Sequence, residues 1–351
     1  MKKINVPLLV GGGIVGLIAV LLTVLGNPAN MGFCIACFIR DTAGAVKLHS
    51  AAAVQYVRPE IIGIVLGSLI IALVKKEFRP RGGSAPVIRF FLGFGVMVGA
   101  LIFLGCPLRM ALRIAGGDLN AVVGIVGFAV GILGGVLLLN KGFSLGRSHS
   151  QSKAEGAGIS AAVLLLLAAV VFIPSLFAFS ESGPGSMHAP LIIALIAGLV
   201  VGALAQRTRF CMMGGFRDVF LFRDWTLLSG FIALIVVALI GNLIVGKFNL
   251  GFEGQPIAHT DGVWNFIGMA VVGLGSAMLG GCPLRQLILA GEGNTDSAVA
   301  VLGMFVGAAF CHNFKLASSG AGTTPNGRIA CILMLVVMLV IAVYNTKKSK
   351  A

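Results

Sequence analysis

The chain has 351 residues, of which 58% are hydrophobic and 11% charged, with a formal net charge of +14. Soluble domains carry about a quarter charged residues, so this composition excludes an ordinary soluble fold and reads as an all-α polytopic membrane protein. In such a protein a positive balance is first a record of topology, so it gives no case for nucleic-acid binding.

A helical crossing needs about 20 apolar residues. Ten segments meet or approach that length: 6–26, 59–75, 87–105, 119–140, 158–180, 189–206, 226–247, 262–281, 297–313 and 327–345. The first has the basic start of a secretory signal (Lys2, Lys3), but its apolar run is too long and "NPANMG" lacks a small-residue cleavage pattern, so it is expected to stay as the first span. With the N-terminus inside, the inner ends and loops hold 18 of the 26 Lys and Arg and the outer loops 8. Both termini are therefore expected to be cytoplasmic, in a bacterial inner membrane. The only linker-like stretch, "RSHSQSKAEGAG" at 147–158, lies near the middle and divides the chain into halves 1–156 and 157–351.

Between the first and second spans stands "GFCIACFIRD" (32–41), a C-x-x-C followed by Arg-Asp. It aligns with "RFCMMGGFRD" (209–218), pairing Cys34 with Cys211, Arg40 with Arg217 and Asp41 with Asp218 at a spacing of 177. A second pair, "GCPLRMALRIAGGD" (105–118) and "GCPLRQLILAGEGN" (281–294), is spaced by 176. Two motifs in the same order at nearly one offset indicate an internal duplication. Five expected spans separate Cys34 from Cys211, and an odd number turns the second copy over, which predicts an inverted repeat with the fifth and tenth spans outside it. In transporters so built, solute sites lie near the midplane, on re-entrant or broken segments.

Each motif carries chemistry and has a plainer alternative. Gly105 and Pro107, like Gly281 and Pro283, flank a cysteine at the end of an apolar span and read as a helix interruption; a single copy would be an ordinary helix end. Arg40, Arg109, Arg217 and Arg285 sit at matching places beside the repeated cysteines and suggest an anion path, against which stand interfacial anchoring and simple pairing of Arg40 and Arg217 with Asp41 and Asp218. Cys37, Cys311 and Cys331 read as small buried apolar residues. Cys34, Cys106, Cys211 and Cys282 differ by being repeated, and a thiol is a soft, weak donor suited to exposed sulfur or selenium. Gly214 replaces Cys37 in the second copy, so a dithiol is not what the repeat preserves, and neither copy adds the ligands of a closed metal site. His312 is a candidate proton-linked group. No catalytic triad, phosphate loop or cofactor motif is visible.

The duplicated Phe-Cys and Gly-Cys motifs, glycine-rich spans and length resemble the YeeE/YedE family of inner-membrane proteins. "GNPANMGFCIACFIRD", "EFRPRGGS", "GCPLRMALRIAGGDLNA", "KGFSLGRS" and "GCPLRQLILAGEGNTDSA" resemble its selenium-metabolism YedE branch, described as selenium transporters. The resemblance implies transport, because relatives take up thiosulfate through an hourglass-shaped inverted repeat with constrictions lined by cysteine thiols. It places Cys34 and Cys211 at the Phe-Cys positions and Cys106 and Cys282 at the Gly-Cys positions. The "CPLR" continuation departs from thiosulfate-type members.

The expectation is a non-enzymatic transporter or channel-like permease for a small selenium- or sulfur-containing anion. Cys34, Cys106, Cys211 and Cys282 should approach one narrow path while Cys37 and Cys331 pack elsewhere. A soluble selenium or sulfur carrier is a candidate partner. The alternative is a membrane thiol oxidoreductase using Cys34 and Cys37.

Overall fold

The computed structural model describes residues 5–350, without the side chains of 347–350, and is all-α apart from one two-stranded ladder. Lys2 and Lys3 and the side chains of Lys347, Lys348 and Lys350, part of the cation count above, lie outside the described residues.

In chain order the helices are α1 (Val6–Val24), α2 (Ile35–Ala45), α3 (Pro59–Val74), α4 (Pro86–Phe103), α5 (Pro107–Ala115), α6 (Leu119–Asn140), α7 (Lys153–Phe172), α8 (Leu191–Thr208), α9 (Met212–Phe222), α10 (Thr226–Ile244), α11 (Gly262–Leu279), α12 (Pro283–Gly291), α13 (Thr295–Asn313) and α14 (Pro325–Lys350). Strands β1 (Arg81–Gly82) and β2 (His149–Ser150) pair antiparallel. Among the described residues, ten spans are long and apolar enough to cross a bilayer. The short helices α2, α5, α9 and α12 have 9 to 11 residues, too few to cross at 1.5 Å per residue.

Proline opens many of these helices, where its fixed φ fits and no amide donor is lost; Pro59, Pro86, Pro107, Pro283 and Pro325 are first residues. Asp118 caps α6 through the Asn120 amide, and Asn294 caps α13 through the Ser297 amide, at the 176-residue offset. The fifth span differs from expectation. It begins at Lys153, inside the presumed linker, because Ser152 and Glu155 form a reciprocal capping box, and it ends before Pro174. The division at 156/157 thus falls within α7.

Helix pairing repeats between the halves. If α1–α6 are exchanged with α8–α13, the pair α1·α10 becomes α8·α3, and α4·α13 becomes α11·α6; all four pairs are present. The match reaches single residues. Gly127 and Gly131 of α6 lie against the carbonyls of Phe266 and Ala270, and Gly303 and Gly307 of α13 against those of Phe90 and Phe94. At Gly127, Gly131 and Gly303 the backbones approach too closely for any Cβ, and at Gly307 a Cβ would be tight, which is the physical use of small residues between membrane helices. Helices α7, packed on α3 and α12, and α14, packed on α4 and α11, have no counterpart. Helices α4 and α11, which the exchange maps onto one another, run antiparallel: Gly99 abuts Gly268, whereas Val96 lies against Gly275.

Hydrogen bonds sort the connections into two faces. On one, Ala178 bonds to Ala45, Arg58 to Met187, Asn249 to Gly116, and Ser318 to Leu101. On the other, Arg79 bonds to Glu292, Gln151 to Pro80, and Gln206 to Glu77. The first-half motifs enter from the former face and the second-half motifs from the latter.

Candidate functional site

Each repeated cysteine is the N-cap of a short helix: Cys34 of α2, Cys106 of α5, Cys211 of α9 and Cys282 of α12. The local cause is in the sequence. Helix α4 stops at Phe103 with Leu104 left-handed, and α11 stops at Leu279 with Gly280 left-handed; the chain then passes through Gly-Cys and restarts at a proline, which forces an extended residue before it. In the Phe-Cys copies the thiol itself does the capping. Cys34 Sγ accepts from the Cys37 amide at 3.3 Å, and Cys211 Sγ from the Gly214 amide at 3.4 Å. The repeated group at 37 and 214 is thus the backbone N–H, which survives replacement of cysteine by glycine.

The four helix ends meet in twos. The Ile35 amide at the start of α2 donates to Cys106 Sγ at 3.2 Å, and Cys211 Sγ lies 3.7 Å from Cys282 Sγ. Each half therefore brings its Phe-Cys and Gly-Cys motifs together, across 72 residues between Cys34 and Cys106 and 71 between Cys211 and Cys282. All four thiols are buried and none forms a disulfide. A helix N-terminus presents unpaired amides and a positive partial charge, so each cysteine pair marks the junction of two helix ends favourable to an anion.

The arginines are placed asymmetrically. Arg109 is fully buried and is held by carbonyls: its guanidinium donates to Leu104, Asn30, Pro256 and Ile257, and Nη1 approaches Cys37 Sγ at 3.6 Å. Its counterpart Arg285 pairs with Glu292 at 3.2 Å nearer the surface. Arg40 binds Asp41 through Nε and Nη2 at 2.9 and 2.7 Å and is 3% exposed, whereas Arg217 makes the same contacts to Asp218 and is 35% exposed. The arginines beside the first cysteine pair are thus more deeply buried than those beside the second.

Two features depart from the sequence reading. Cys37 does not pack elsewhere; it lies beside Cys34 and against Arg109, because the first turn of α2 points its side chain toward the α4–α5 break. Arg58, not singled out, is fully buried, donates to Asp41 Oδ2 at 2.8 Å and stacks 4.7 Å over the Phe38 ring. It turns the expected Arg40–Asp41 pair into a buried triad. Arg113 with Asp118 (2.6 Å) and Asn27 with Glu60 (2.8 Å) are further buried polar pairs that spacing did not reveal. His312 stacks on His49 at 4.6 Å, and its Nε2 is buried without a hydrogen bond among the described residues. Cys311 and Cys331 are buried.

Residues 207–349 match a family model described as sulphur transport; this stretch holds Cys211, Cys282 and their arginines. The chain is 30% identical over 119 residues to the thiosulfate transporter TsuA of Escherichia coli K12, covering 33% of this chain and 32% of that protein. It is 35% identical over 114 residues to the thiosulfate transporter TsuA of Spirochaeta thermophila, covering 32% and 34%. The matched region spans about a third of the length of these curated relatives.

Proposed function

Taking as premise a multi-pass membrane protein whose second half carries the sulphur-transport family signature, we propose that it is a permease for a small anion bearing exposed sulfur or selenium. The observation that carries this reading is the placing of the four repeated cysteines as N-caps of four short helices, paired within each half. A solute at such a junction meets amide donors and helix-end potential for its charge, and thiols for its soft atom. Hydroxyl-lined sites would favour harder, better hydrated oxyanions. Thiols give weak contacts that form and release without a deep well, as passage requires.

In this proposal the two halves form an inverted repeat whose two-fold axis lies in the membrane plane; the support is the exchange of helix pairs and the antiparallel crossing of α4 and α11. The face holding the 75–89 and 141–153 connections is cytoplasmic, and the location is the bacterial inner membrane. Thiosulfate, which the matched relatives carry, bears a terminal soft sulfur, and in this reading an exposed soft chalcogen of that kind is the recognised feature of a selenium-containing solute too. The test is initial uptake of labelled thiosulfate, selenosulfate and sulfate into vesicles holding purified protein. Faster thiosulfate or selenium entry than in empty vesicles, with sulfate excluded, is expected. Equal rates with and without protein for every chalcogen anion would end the reading.

A further inference from the structure

A cavity of about 160 Å³ opens on the face holding the 75–89 connection, lined by Glu77, Arg79, Arg81, Arg209, Glu292 and Asn294. It is built rather than accidental. The Arg79 amide bonds to the Glu292 carbonyl at 3.0 Å and the Arg81 amide to the Gly293 carbonyl at 3.3 Å, so the α3–α4 connection is laid along the end of α12. Arg209, the left-handed C-cap of α8, stands two residues before Cys211.

The two carboxylates are already engaged. Glu77 accepts from Gln206 at 2.7 Å and faces Arg207 at 3.8 Å, and Glu292 pairs with Arg285 at 3.2 Å. The guanidiniums of Arg79, Arg81 and Arg209 make no hydrogen bond or ion pair among the described residues. Three uncommitted guanidiniums around one hollow are more than a topology signal requires, since that bias is met by solvated cations anywhere in a loop. The opposite mouth has no such feature: the corresponding α10–α11 connection, 245–261, contains no arginine and presents the Pro256 and Ile257 carbonyls to Arg109.

We infer that this hollow is an anion-docking vestibule, in which Arg79, Arg81 and Arg209 bind a small tetrahedral dianion by charge and forked hydrogen bonds before or after it meets the Cys211–Cys282 pair. Guanidiniums match oxyanions bidentately. The volume admits one such anion and a few waters, each water taking about 30 Å³ in the liquid. Lacking a thiol, the vestibule recognises charge and shape, so it takes sulfate as readily as thiosulfate and leaves discrimination to the cysteines. Its purpose rests on the transport reading; its binding does not.

The experiment is equilibrium binding of labelled inorganic sulfate to full-length protein in nanodiscs, with thiosulfate flux into vesicles measured alongside. Wild type should bind sulfate, more weakly as salt rises. Arg79→Gln/Arg81→Gln/Arg209→Gln should lose about tenfold or more in affinity, as expected when charge-assisted bonds are removed. Cys211→Ala/Cys282→Ala should bind sulfate normally while losing flux. The arginines are exposed, and Arg81→Gln alone, with an unchanged melting profile, serves as the milder variant and should show a several-fold loss. Unaltered sulfate affinity in both arginine variants, or no binding by wild type, overturns the vestibule. Sulfate binding without flux of thiosulfate or of any labelled selenium anion would instead sink the transport reading and leave the vestibule standing.

Discussion

Arg109 and Arg285 occupy matching places in identical pentapeptides, yet their surroundings differ. The buried Arg109 has carbonyl oxygens for partners and spans several at once, which a planar five-donor fork can do and a lysine ammonium cannot. Arg109→Lys is therefore expected to strand at least one buried carbonyl, at about 1–3 kcal/mol each. Thermal unfolding in detergent should show a clear loss. Arg285→Lys keeps an ammonium within reach of Glu292 and should lose less; equal losses would contradict this account. The residue pattern showed that both arginines matter, because both are repeated. It could not show the asymmetry, which comes from a loop almost 150 residues away. Nor could it show Arg58, whose partner Asp41 is 17 residues earlier and whose surroundings include the 184–187 carbonyls.

At the scale of elements, the helix interruption at Gly-Cys-Pro was legible, since proline and glycine act locally. The start of α7 was present in the sequence too, as Ser152-Lys-Ala-Glu155, but a polar, histidine-containing stretch before it reads as linker by composition. Ser152→Ala should fray the first turn, with a cap cost of about 0.5–2 kcal/mol, seen as faster hydrogen exchange at 153–156 and unchanged exchange in α6. The helix packing rests on the paired glycines. Gly127→Val and Gly303→Val each place a side chain on a neighbouring carbonyl oxygen, those of Phe266 and Phe90. Both should lower folded yield and thermal stability to similar extents, because the contacts are equivalents. A tolerated change at one and collapse at the other would argue against matched packing. Cys37 teaches a different lesson: its replacement by Gly214 leaves the second copy without a thiol there, yet says nothing of where the first copy puts one.

For the whole molecule, ten apolar spans were readable from composition and length, because the bilayer imposes both. The pairing of α1 with α10 and of α3 with α8 was not readable, since helices equally apolar all round carry no facing code. The two faces give a direct topological prediction. Ser150→Cys and Ser182→Cys lie on opposite faces, at exposed positions, and the native thiols are all buried. A membrane-impermeant thiol reagent applied to intact spheroplasts should modify the Ser182→Cys protein, and should reach the Ser150→Cys protein only after permeabilisation. Labelling of both from outside would contradict the arrangement of spans.

The central claim is that a soft anion passes along paired thiols at helix ends, and it is tested most directly by initial thiosulfate and selenium-anion uptake at matched protein abundance. Cys106→Ser and Cys282→Ser keep a donor of nearly the same size but a harder one, and Cys37→Ala leaves the capping amide of α2 in place. The account predicts that both serine variants slow uptake severely with normal membrane levels, while Cys37→Ala retains most of it. Full uptake in both serine variants together with abolished uptake in Cys37→Ala would contradict it, because that outcome is what a Cys34–Cys37 dithiol, attacking through one sulfur and resolving through the other, would produce.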